Sequence, residues 1–418
     1  MSARVVITGL GVVSAIGVGV SEFWKTALTG RSGISSISSF DPFPVTEYRS
    51  QVAGQVQHFS PEQYLPANQA NRVDRYAQFA LVAVKEALAD ADLNMEKESP
   101  HRVGVIMGAG MGGMVMGERE ITQLFKTHKP NRVHPNFIPT ITLNSASGIV
   151  AMAYGAKGPN LTISTACSSS AHALGQALHC IRTGQADVVI AAGADASITP
   201  LVFAGFCSLR ALSSEFNDTP ERASRPFDRH RDGFVMGEGS GALIVESLAH
   251  ARKRKARIYA ELAGYAATSE AYHMVIPRED GEEVAITMKL ALDSAGMTPA
   301  HVDYINAHAT STSIGDAVEV KAIKRLFKNR ADKIAVSATK SLIGHTLGAA
   351  GALGAVASTL SIHTGHIHPT ANYDDPDPDC RLDGISRSPQ ERKVRTALVN
   401  SFGFGSNNAT VVLKKFVA

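Results

Sequence analysis

The chain has 418 residues, 44% hydrophobic and 19% charged, a balance that excludes intrinsic disorder and fits a globular protein of two or three domain-sized units. The 41 basic and 38 acidic side chains leave a net charge of +3, which is too small to predict nucleic-acid binding. Four cysteines without CxxC spacing predict neither a disulfide framework nor a metal site, and they favour a reducing, cytoplasmic location. The opening segment MSARVVITG lacks the pattern of a signal peptide, and we expect no membrane insertion.

Short β-branched segments alternate with helical patterns along the chain. The apolar residues of VVITG, VGVIMG, VVIAAG, ALIVES, IAVSAT and ALVNSF run continuously, as in strands buried on both faces. Residues 77–91, 170–181 and 283–295 have apolar positions at spacings of three and four, which predicts helices. The alternation predicts an α/β fold with the site beyond the carboxyl ends of the strands. The uncharged stretch 346–362 is short for a membrane span and is interpreted as a buried helix.

Two segments between the predicted strands have unusual compositions. The glycine-rich run GAGMGGM (108–114) follows a strand, as phosphate-binding loops do. It has neither the GxGxxG spacing with a later acidic residue nor a Walker sequence, so we reject a nucleotide site. Residues 213–233 form a long polar loop, and loops of this length inside a compact domain are often functional.

Cys167 is the first candidate for chemistry, in the segment TISTACSSSAHALGQALHCI. A β-rich run ends at Ala166 and a helical pattern begins within two residues, which places the cysteine on a strand-to-helix turn. A helix N-terminus favours a thiolate and leaves backbone N–H groups free to bind an oxyanion. The alternative is a buried structural cysteine, which is the commoner role for a free cysteine. Cys180 lies thirteen residues further along the same predicted helix and is expected in the core.

Two histidines are candidate partners of a reactive thiol. His308 follows a short apolar strand in YINAHATSTSIGD, and His345 follows Lys340 in SATKSLIGHTLGAAGALG. A single histidine is usually a surface or core group. Two histidines at strand ends among small residues, together with a cysteine in a third such place, favour one active site. Thr310 and Thr312 either donate hydrogen bonds to a ligand or cap the local backbone.

The last unusual segment is NSFGFGSNNA (400–409), in which Gly403 and Gly405 flank Phe404. Such a loop either moves a phenyl ring and offers a backbone N–H to an oxyanion, or is an ordinary tight turn before a final strand at 409–414.

Taken together, these segments resemble the β-ketoacyl-acyl-carrier-protein synthases, the elongating condensing enzymes of the thiolase superfamily. The resemblance is essentially full length and runs in family order through these motifs: VVITGLGVVSAIG, STACSSSAHALGQA, ASRPFDRHRDGFVMGEGSG, NAHATSTSIGD, ATKSLIGHTLGAAG and NSFGFGSNNA. It implies a five-layered αβαβα thiolase-like fold made of two similar halves. We assign residues 1–255 to the half that carries the cysteine and 256–418 to the half that carries both histidines.

The resemblance also implies the roles of individual residues. Cys167 takes an acyl chain as a thioester, and His308 and His345 assist decarboxylation of malonyl-carrier protein, whose carbanion then attacks that thioester. Lys340 orders the site. The resemblance implies that the N–H groups of Cys167 and Phe404 form the oxyanion hole and that Phe404 is a gate residue flanked by Gly403 and Gly405. Thr310 and Thr312 would hold the pantetheine arm, and Met111 and Phe206 would lie at the acyl pocket. The implied carrier-docking surface consists of Arg72, Arg75 and Arg210.

The implied partner is an acyl-carrier protein, whose phosphopantetheine delivers the substrates, and no metal or other bound cofactor is expected. A homodimer is the usual assembly. A heterodimer with a ketosynthase-like partner, as in polyketide or polyene synthesis, is an alternative. A non-catalytic chain-length factor is disfavoured because such subunits typically lack the nucleophilic cysteine. A cysteine hydrolase would leave His345 and Lys340 unexplained.

Six positions depart from the usual family pattern, among them Asn407, which replaces a threonine of the last loop, and the departures affect the expected substrate more than the reaction. Ala309 and Ser313 alter the first histidine motif, and Val275 stands where threonine is common. Gly354 replaces a glutamate tied to the Lys340 network. Ser406 replaces a glycine of the last loop, which stiffens that loop if the position requires a positive φ.

Overall fold

The computed structural model describes residues 3–40, 43–66, 70 and 72–417. Its strands are β1 (Val5–Ser14), β2 (Gly17–Val18), β3 (Ser35–Ser36), β4 (Val52–Ala53), β5 (Val103–Gly108), β6 (Asn160–Ile163), β7 (Val188–Asp195), β8 (Gly239–Ser247), β9 (Ala260–Ser269), β10 (Tyr304–Asn306), β11 (Ala335–Ser337), β12 (His366–Ile367), β13 (Gln390–Glu391), β14 (Thr396–Gly403) and β15 (Asn407–Lys414). Five of the six continuous apolar segments predicted as strands lie within these elements, and the sixth, predicted at 334–339, is shorter in the structure, since β11 covers only Ala335–Ser337.

The α-helices with described bounds number twelve and alternate with the longer strands. They are α1 (Val20–Thr29), α2 (Arg75–Asp90), α3 (Met114–Thr127), α4 (Phe137–Ile141), α5 (Ser145–Tyr154), α6 (Ser169–Arg182), α7 (Pro200–Ser208), α8 (Leu248–Lys253), α9 (Glu282–Ser294), α10 (Ser313–Phe327), α11 (Lys340–Ile343) and α12 (Ala350–Thr364). The three helices predicted from apolar spacing correspond to α2, α6 and α9, with their ends within two residues of the predicted ones.

Within the described residues, one continuous sheet follows the order β11-β10-β14-β15-β9-β1-β8-β7-β5-β6, with β2 paired to β1. β1 and β9 pair only through Val6–Glu261 and Ile7–Ala260. This short junction divides the ten strands of that path into two halves of five, and β2 adds one more strand to the half that contains β1. In each half, three strands at the outer end are parallel and the rest are antiparallel.

The two half-sheets and their helices form five layers. Helices α6 and α12 lie between the half-sheets and share one hydrophobic core with both. Helices α2 and α5 cover the outer face of the first half, and α9 and α10 cover the outer face of the second. The αβαβα arrangement predicted from the resemblance is therefore confirmed.

Small residues allow the central layer to pack closely. A Cβ atom at Gly351 of α12 would lie 2.7 Å from the Ala171 nitrogen of α6, so the two helix backbones nearly touch. In the described part of the chain, Leu347–Thr364 is the one helical stretch long and apolar enough to cross a membrane, and 89% of it is buried inside the protein. The apolar stretch 346–362 is thus a core element, as its composition indicates.

Candidate active site

Cys167 lies on a tight turn between β6 and α6. Ala166, just before it, has a φ of 51°, a left-handed conformation that costs a non-glycine residue about 1–2 kcal/mol. Two hydroxyls stabilise the turn: the Ser169 Oγ accepts from the Thr165 N–H at 2.9 Å, and the Ser168 Oγ donates to the Thr165 carbonyl at 2.8 Å. The strand-to-helix turn predicted from the sequence is present, and the cysteine that it carries lines a cavity.

The environment of the Cys167 thiol is apolar. The residue is buried, and burial raises the pKa of its thiol to about 11, against the opposing effects of the Lys340 charge and the Phe404 N–H. The predicted position at a helix N-terminus favours the thiolate, but the effect of desolvation on the thiol pKa is larger and favours the protonated form. The raised pKa favours the protonated thiol of Cys167 at neutral pH.

His308 follows β10, and Glu319 of α10 holds its backbone. The N–H groups of His308 and Ala309 donate to the two carboxylate oxygens of Glu319 at 2.9 and 2.8 Å, and the Asn400 side chain donates to the same carboxylate at 2.9 Å. Glu319 is buried, which raises the pKa of its carboxyl group despite these hydrogen bonds. The carboxylate thus fixes the direction in which the His308 ring leaves the strand.

His345 is held by backbone pairing with the segment after the polar loop 213–233. Its N–H donates to the Val235 carbonyl at 2.7 Å, and its carbonyl accepts from Gly237 N–H at 2.9 Å. The preceding Gly344 has a φ of 73°, which makes the sharp turn that presents the ring. The ring packs against Phe234 and stands at right angles to His308, with ring centroids 5.5 Å apart in each case.

Cys167, His308 and His345 line one cavity of about 290 Å³, together with Phe206, Phe404 and both predicted threonines. His345 is buried and His308 is half-buried, and desolvation together with the Lys340 charge lowers the pKa values of both imidazoles well below the ordinary histidine value. Both ring nitrogens of His345 and the Nδ1 of His308 lack a hydrogen-bond partner among the described residues. The cavity therefore holds two neutral imidazoles whose ring nitrogens are free to bond a substrate.

Lys340 begins helix α11 and is buried close to the cavity. Burial lowers the pKa of its ammonium group to about 8, while the nearby carboxylate of Glu319 opposes the shift. Its positive charge acts on Cys167 and on both histidines, lowering the pKa of all three. Lys340 is thus a positive charge beside Cys167 and both histidines, and it adds to the effect of burial that favours neutral imidazoles.

The glycine-rich loop 403–407 approaches the cysteine closely. A Cβ atom at Gly403 would lie 2.6 Å from the Thr165 carbonyl and 3.2 Å from the Cys167 nitrogen, so only glycine fits there. Phe404 directs its backbone N–H to the Cys167 sulfur, and its ring lies 6.4 Å from that of Phe206. Gly405 has a φ of 77° and completes the turn. A loop N–H beside the nucleophile is the arrangement that binds an oxyanion.

Thr310 and Thr312 line the same cavity, and their hydroxyl oxygens are 3.1 Å apart. The intervening Ser311 has a φ of 70° and points the other way, where Asp316 accepts its N–H at 3.1 Å. The long polar loop 213–233 supports this segment, because the buried Arg231 donates to the carbonyls of Thr312 and Ser313 at 3.0 and 2.7 Å. The buried Arg231 of that loop thus clamps the segment that follows His308, while other parts of the loop are exposed.

The acyl-pocket and docking residues predicted from the resemblance are more dispersed. Met111 does not line the cavity in the single chain and is partly exposed. Arg210 lies at the cavity mouth, and Arg72 is exposed before α2. Arg75 has internal partners, since its guanidinium donates to Glu238 at 2.9 and 2.7 Å and to the Val56 carbonyl at 3.0 Å.

Gly354 and Val275 mark where this site departs from the usual pattern. A Cβ atom at Gly354 would lie 2.7 Å from the Asn306 Oδ1, so a larger residue requires Asn306 to move. Asn306 instead donates to the Thr339 hydroxyl at 2.7 Å, next to Lys340. Val275 is partly exposed at the cavity mouth. Val275 thus gives the entrance an apolar side chain, and Glu319 is the carboxylate with the largest effect on the pKa of Lys340.

Sequence reasoning missed two buried carboxylates that hold the site together. One is Glu319; the other is Asp195, which accepts from the N–H groups of Gly110, Met111 and Gly348 at 2.8, 3.0 and 2.6 Å. Burial raises the pKa of Asp195 to about 6. In the sequence, Asp195 is visible only as an acidic residue at the end of an apolar strand, and Glu319 only as one on an amphipathic helix. Neither position reveals which backbone N–H groups the carboxylate binds.

Replacing Glu319 by glutamine should slow turnover by about 10²-fold. A glutamine side chain has one acceptor oxygen, whereas the His308 and Ala309 N–H groups each bond a separate carboxylate oxygen. The loss of one of these bonds would displace the His308 ring from its alignment. The measurement is the steady-state rate together with the melting temperature. Glu282→Gln, on the exposed surface of α9, is the matched control and should change neither. A Glu319→Gln protein with full activity would show that this carboxylate does not position His308.

The sequence matches two family models in succession. Residues 2–251 match the family described as "Beta-ketoacyl synthase, N-terminal domain", and residues 259–374 match "Beta-ketoacyl synthase, C-terminal domain". Full-length relatives include proteins named 3-oxoacyl-[acyl-carrier-protein] synthase 2 from Coxiella burnetii and Staphylococcus aureus. They are 45% and 44% identical to this chain, cover 99% of it, and are themselves covered over 98% and 99% of their lengths.

Solved structures give the same grouping. One similar chain comes from the structure of a type II polyketide synthase acyl-carrier protein in complex with its ketosynthase bound to the hexaketide. It superposes on this protein with a TM-score of 0.92 at 37% identity, over 100% of both chains. The ishigamide ketosynthase/chain length factor superposes with a TM-score of 0.91 at 33% identity, again over 100% of both chains. Both the sequence and the fold thus agree with these condensing enzymes along the whole chain.

Proposed function

Because this chain belongs to the beta-ketoacyl synthase family, we propose that it extends carrier-bound acyl chains by two carbons, with Cys167 as the acyl acceptor. It is an acyltransferase of the condensing type. The observation that carries the proposed roles is the shared cavity of Cys167, His308 and His345, with the Phe404 N–H at the sulfur. The reaction as proposed uses no bound metal or nucleotide, and we place it in the cytoplasm.

The first half-reaction transfers the acyl chain to the enzyme. The Cys167 sulfur attacks the thioester carbonyl, the bond from that carbon to the pantetheine sulfur breaks, and the pantetheine leaves as a thiol that takes up the proton lost from Cys167. The N–H groups of Cys167 and Phe404 bind the oxyanion formed in between. The buried Lys340 charge stabilises the transient thiolate.

The second half-reaction forms the new carbon–carbon bond. The bond between the malonyl methylene carbon and its carboxylate breaks and releases carbon dioxide. The electron pair left on the methylene carbon attacks the acyl carbon on Cys167, and the Cys167 sulfur leaves as a thiolate that regains a proton from solvent. Neutral His308 and His345 donate hydrogen bonds to the developing enolate oxygen, a role for which their lowered pKa values suit them.

The carrier protein enters this scheme through the cavity mouth. Thr310 and Thr312 stand where a pantetheine arm would pass toward Cys167, and Arg210 offers a positive charge to an acidic carrier at the rim. Exposed apolar side chains line the same opening, namely Leu209, Val275, Ile276 and Ile314, and the exposed Tyr272 and Met274 are their neighbours in the chain. We therefore expect both apolar contact and charge to contribute to carrier binding.

The test is to incubate the purified chain with acyl-carrier protein and malonyl-carrier protein and to weigh the carrier-bound product. The proposed function requires a 3-oxoacyl product two carbons longer, formed only when both substrates are present. Release of the free acid without elongation would instead indicate a hydrolase and overturn the proposal.

We further propose that the face around β6 binds a second copy of the chain. β6 is the last strand of the sheet path, so one of its edges has no strand neighbour among the described residues. Exposed large apolar side chains occur on β6 and on the helices and loops near this end of the first half, namely Met111, Ile121, Phe125, Ile138, Met152, Leu161 and Leu201. A strand edge with an apolar surround is the anatomy of a homodimer interface.

Leu161→Glu should convert a dimer into a 44.2 kDa monomer, because a carboxylate on β6 would be buried without a partner at that interface. Sedimentation velocity measures the change. Leu290→Glu, at an equally exposed position on the outer helix α9, is the matched control and should leave the assembly intact. An unaltered dimer in the Leu161→Glu protein would place the interface elsewhere.

The same measurement decides between a homodimer and the second candidate, a ketosynthase that pairs with a different chain. That candidate is favoured by the similar structures that contain a ketosynthase with a chain length factor. A wild-type chain that sediments as a monomer and forms no product alone would support the heterodimer. An active dimer of this chain alone would exclude the need for such a partner.

A further inference from the structure

The loop 403–407, here called the gate loop, is bonded to the segment 270–278 at the cavity mouth, here called the rim segment. The Gly405 N–H donates to the Met274 carbonyl at 2.8 Å, and the Glu270 N–H donates to the Ser406 carbonyl at 3.0 Å. These two backbone bonds join the loop that carries Phe404 to the outermost part of the pocket entrance, where Tyr272 and Met274 are highly exposed.

The Ser406 side chain adds two bonds that a glycine cannot make. Its hydroxyl donates to the His273 carbonyl at 3.1 Å and accepts from the Tyr272 N–H at 3.4 Å. The His273 ring in turn accepts from the N–H groups of Val275 and Ile276, both at 3.0 Å, so the backbone that Ser406 contacts is itself internally bonded. The hydroxyl is therefore bonded to an ordered segment.

The backbone of Ser406 is strained in the conformation that makes these bonds. Its φ is 64°, a left-handed conformation that a glycine adopts freely and a serine does not. The strained residue lies two positions after Phe404, whose N–H points at the Cys167 sulfur and whose ring faces Phe206 in the cavity. A stiff residue at this point restricts the very loop that lies over the nucleophile.

We propose that Ser406 is a positioning residue that latches the gate loop to the rim segment and so limits how far Phe404 moves away from Cys167. This inference rests on the proposed function, because it assigns the loop a part in admitting the acyl chain. The latch keeps the Phe404 N–H at the sulfur and the phenyl ring at the pocket. It restricts access to Cys167 for bulky groups more than for small ones.

The test measures access to Cys167 directly, through its alkylation by iodoacetamide and by a bulky N-aryl maleimide, followed by peptide mapping. Ser406→Gly and Ser406→Ala both remove the hydroxyl, and only the glycine variant also relieves the strain. Both variants should react with the maleimide roughly tenfold faster at Cys167, since two hydrogen bonds are lost, while the rate with iodoacetamide changes little. Cys207, half-buried on α7 and outside the cavity, is the internal reference and should react at an unchanged rate.

Two comparisons separate the latch from a merely structural role. Lys255→Gly relieves the strain of a non-glycine residue at a φ of 58° on the exposed surface after α8, and it should alter the melting temperature without changing alkylation at Cys167. Ser406 variants that change only the melting temperature, with wild-type alkylation rates, would overturn the latch. Because alkylation requires no carrier protein, this result is independent of the elongation assay, and failure of elongation in the wild-type chain would count against the proposed function alone.

Discussion

Replacing Cys167 by alanine should abolish acyl transfer, with a loss of roughly 10⁴-fold or more in turnover, because no other group in the cavity can hold the acyl chain as a thioester. The pocket itself should survive, since alanine fits the space of a buried cysteine and the Thr165–Ser169 turn does not involve the sulfur. The measurement is the rate of acyl transfer from acyl-carrier protein, followed by the covalent adduct on the enzyme.

Cys207→Ala is the matched control for that variant. Cys207 is a free cysteine on α7 outside the cavity lining, and its replacement should leave acyl transfer within a factor of two or so of the wild type. Full elongation activity in the Cys167→Ala protein would show that the chain works without a covalent acyl-enzyme and would revive the non-catalytic chain-length-factor hypothesis.

The histidine variants should separate the two half-reactions. His308→Ala and His345→Ala each remove a neutral hydrogen-bond donor from the enolate site but leave the Cys167 and Phe404 N–H groups in place. We expect acylation to be largely retained and condensation to fall by roughly 10²–10³-fold in each variant, the usual loss for one donor to a developing oxyanion. Single-turnover assays with and without malonyl-carrier protein measure the two steps separately.

His179→Ala provides the comparison for both histidine variants, because His179 is an exposed histidine on α6, the helix that follows Cys167. It should behave as the wild type in both steps. If the His308 and His345 variants were as defective in acylation as in condensation, the two imidazoles would belong to nucleophile activation, and the division of roles would be wrong.

The elements of the fold were readable from the sequence because buried strands and amphipathic helices have strong periodic patterns. β5 was predicted with its exact ends, and α6 within one residue at each end. β9 (Ala260–Ser269) was not predicted, since its small residues and interior Glu261 and Gly264 weaken the apolar run. The layer order came from the family resemblance, because local patterns do not specify which sheet face a helix covers.

The candidate site was predictable where chemistry requires a rare residue in a distinctive setting, as for Cys167, His308 and His345. Its electrostatics were not, because they depend on burial: the thiol pKa is raised to about 11 although the local helix terminus favours the thiolate. The bonds that fix the two histidines come from different places: Glu319 of α10 accepts from the His308 N–H, and His345 pairs with Val235 and Gly237, which are distant in sequence. Arg75 illustrates the same limit, since its sequence neighbours do not reveal that Glu238 pairs with it.

The most direct test of the central claim is intact-mass spectrometry of the wild-type chain with acyl-carrier protein, before and after addition of malonyl-carrier protein, with peptide mapping of any adduct. We expect a single acyl adduct on Cys167 that disappears when malonyl-carrier protein is added, as a carrier-bound chain two carbons longer is formed. An adduct on another residue, or a Cys167 adduct that is lost only to hydrolysis, would contradict the assignment of this cavity as a condensing site.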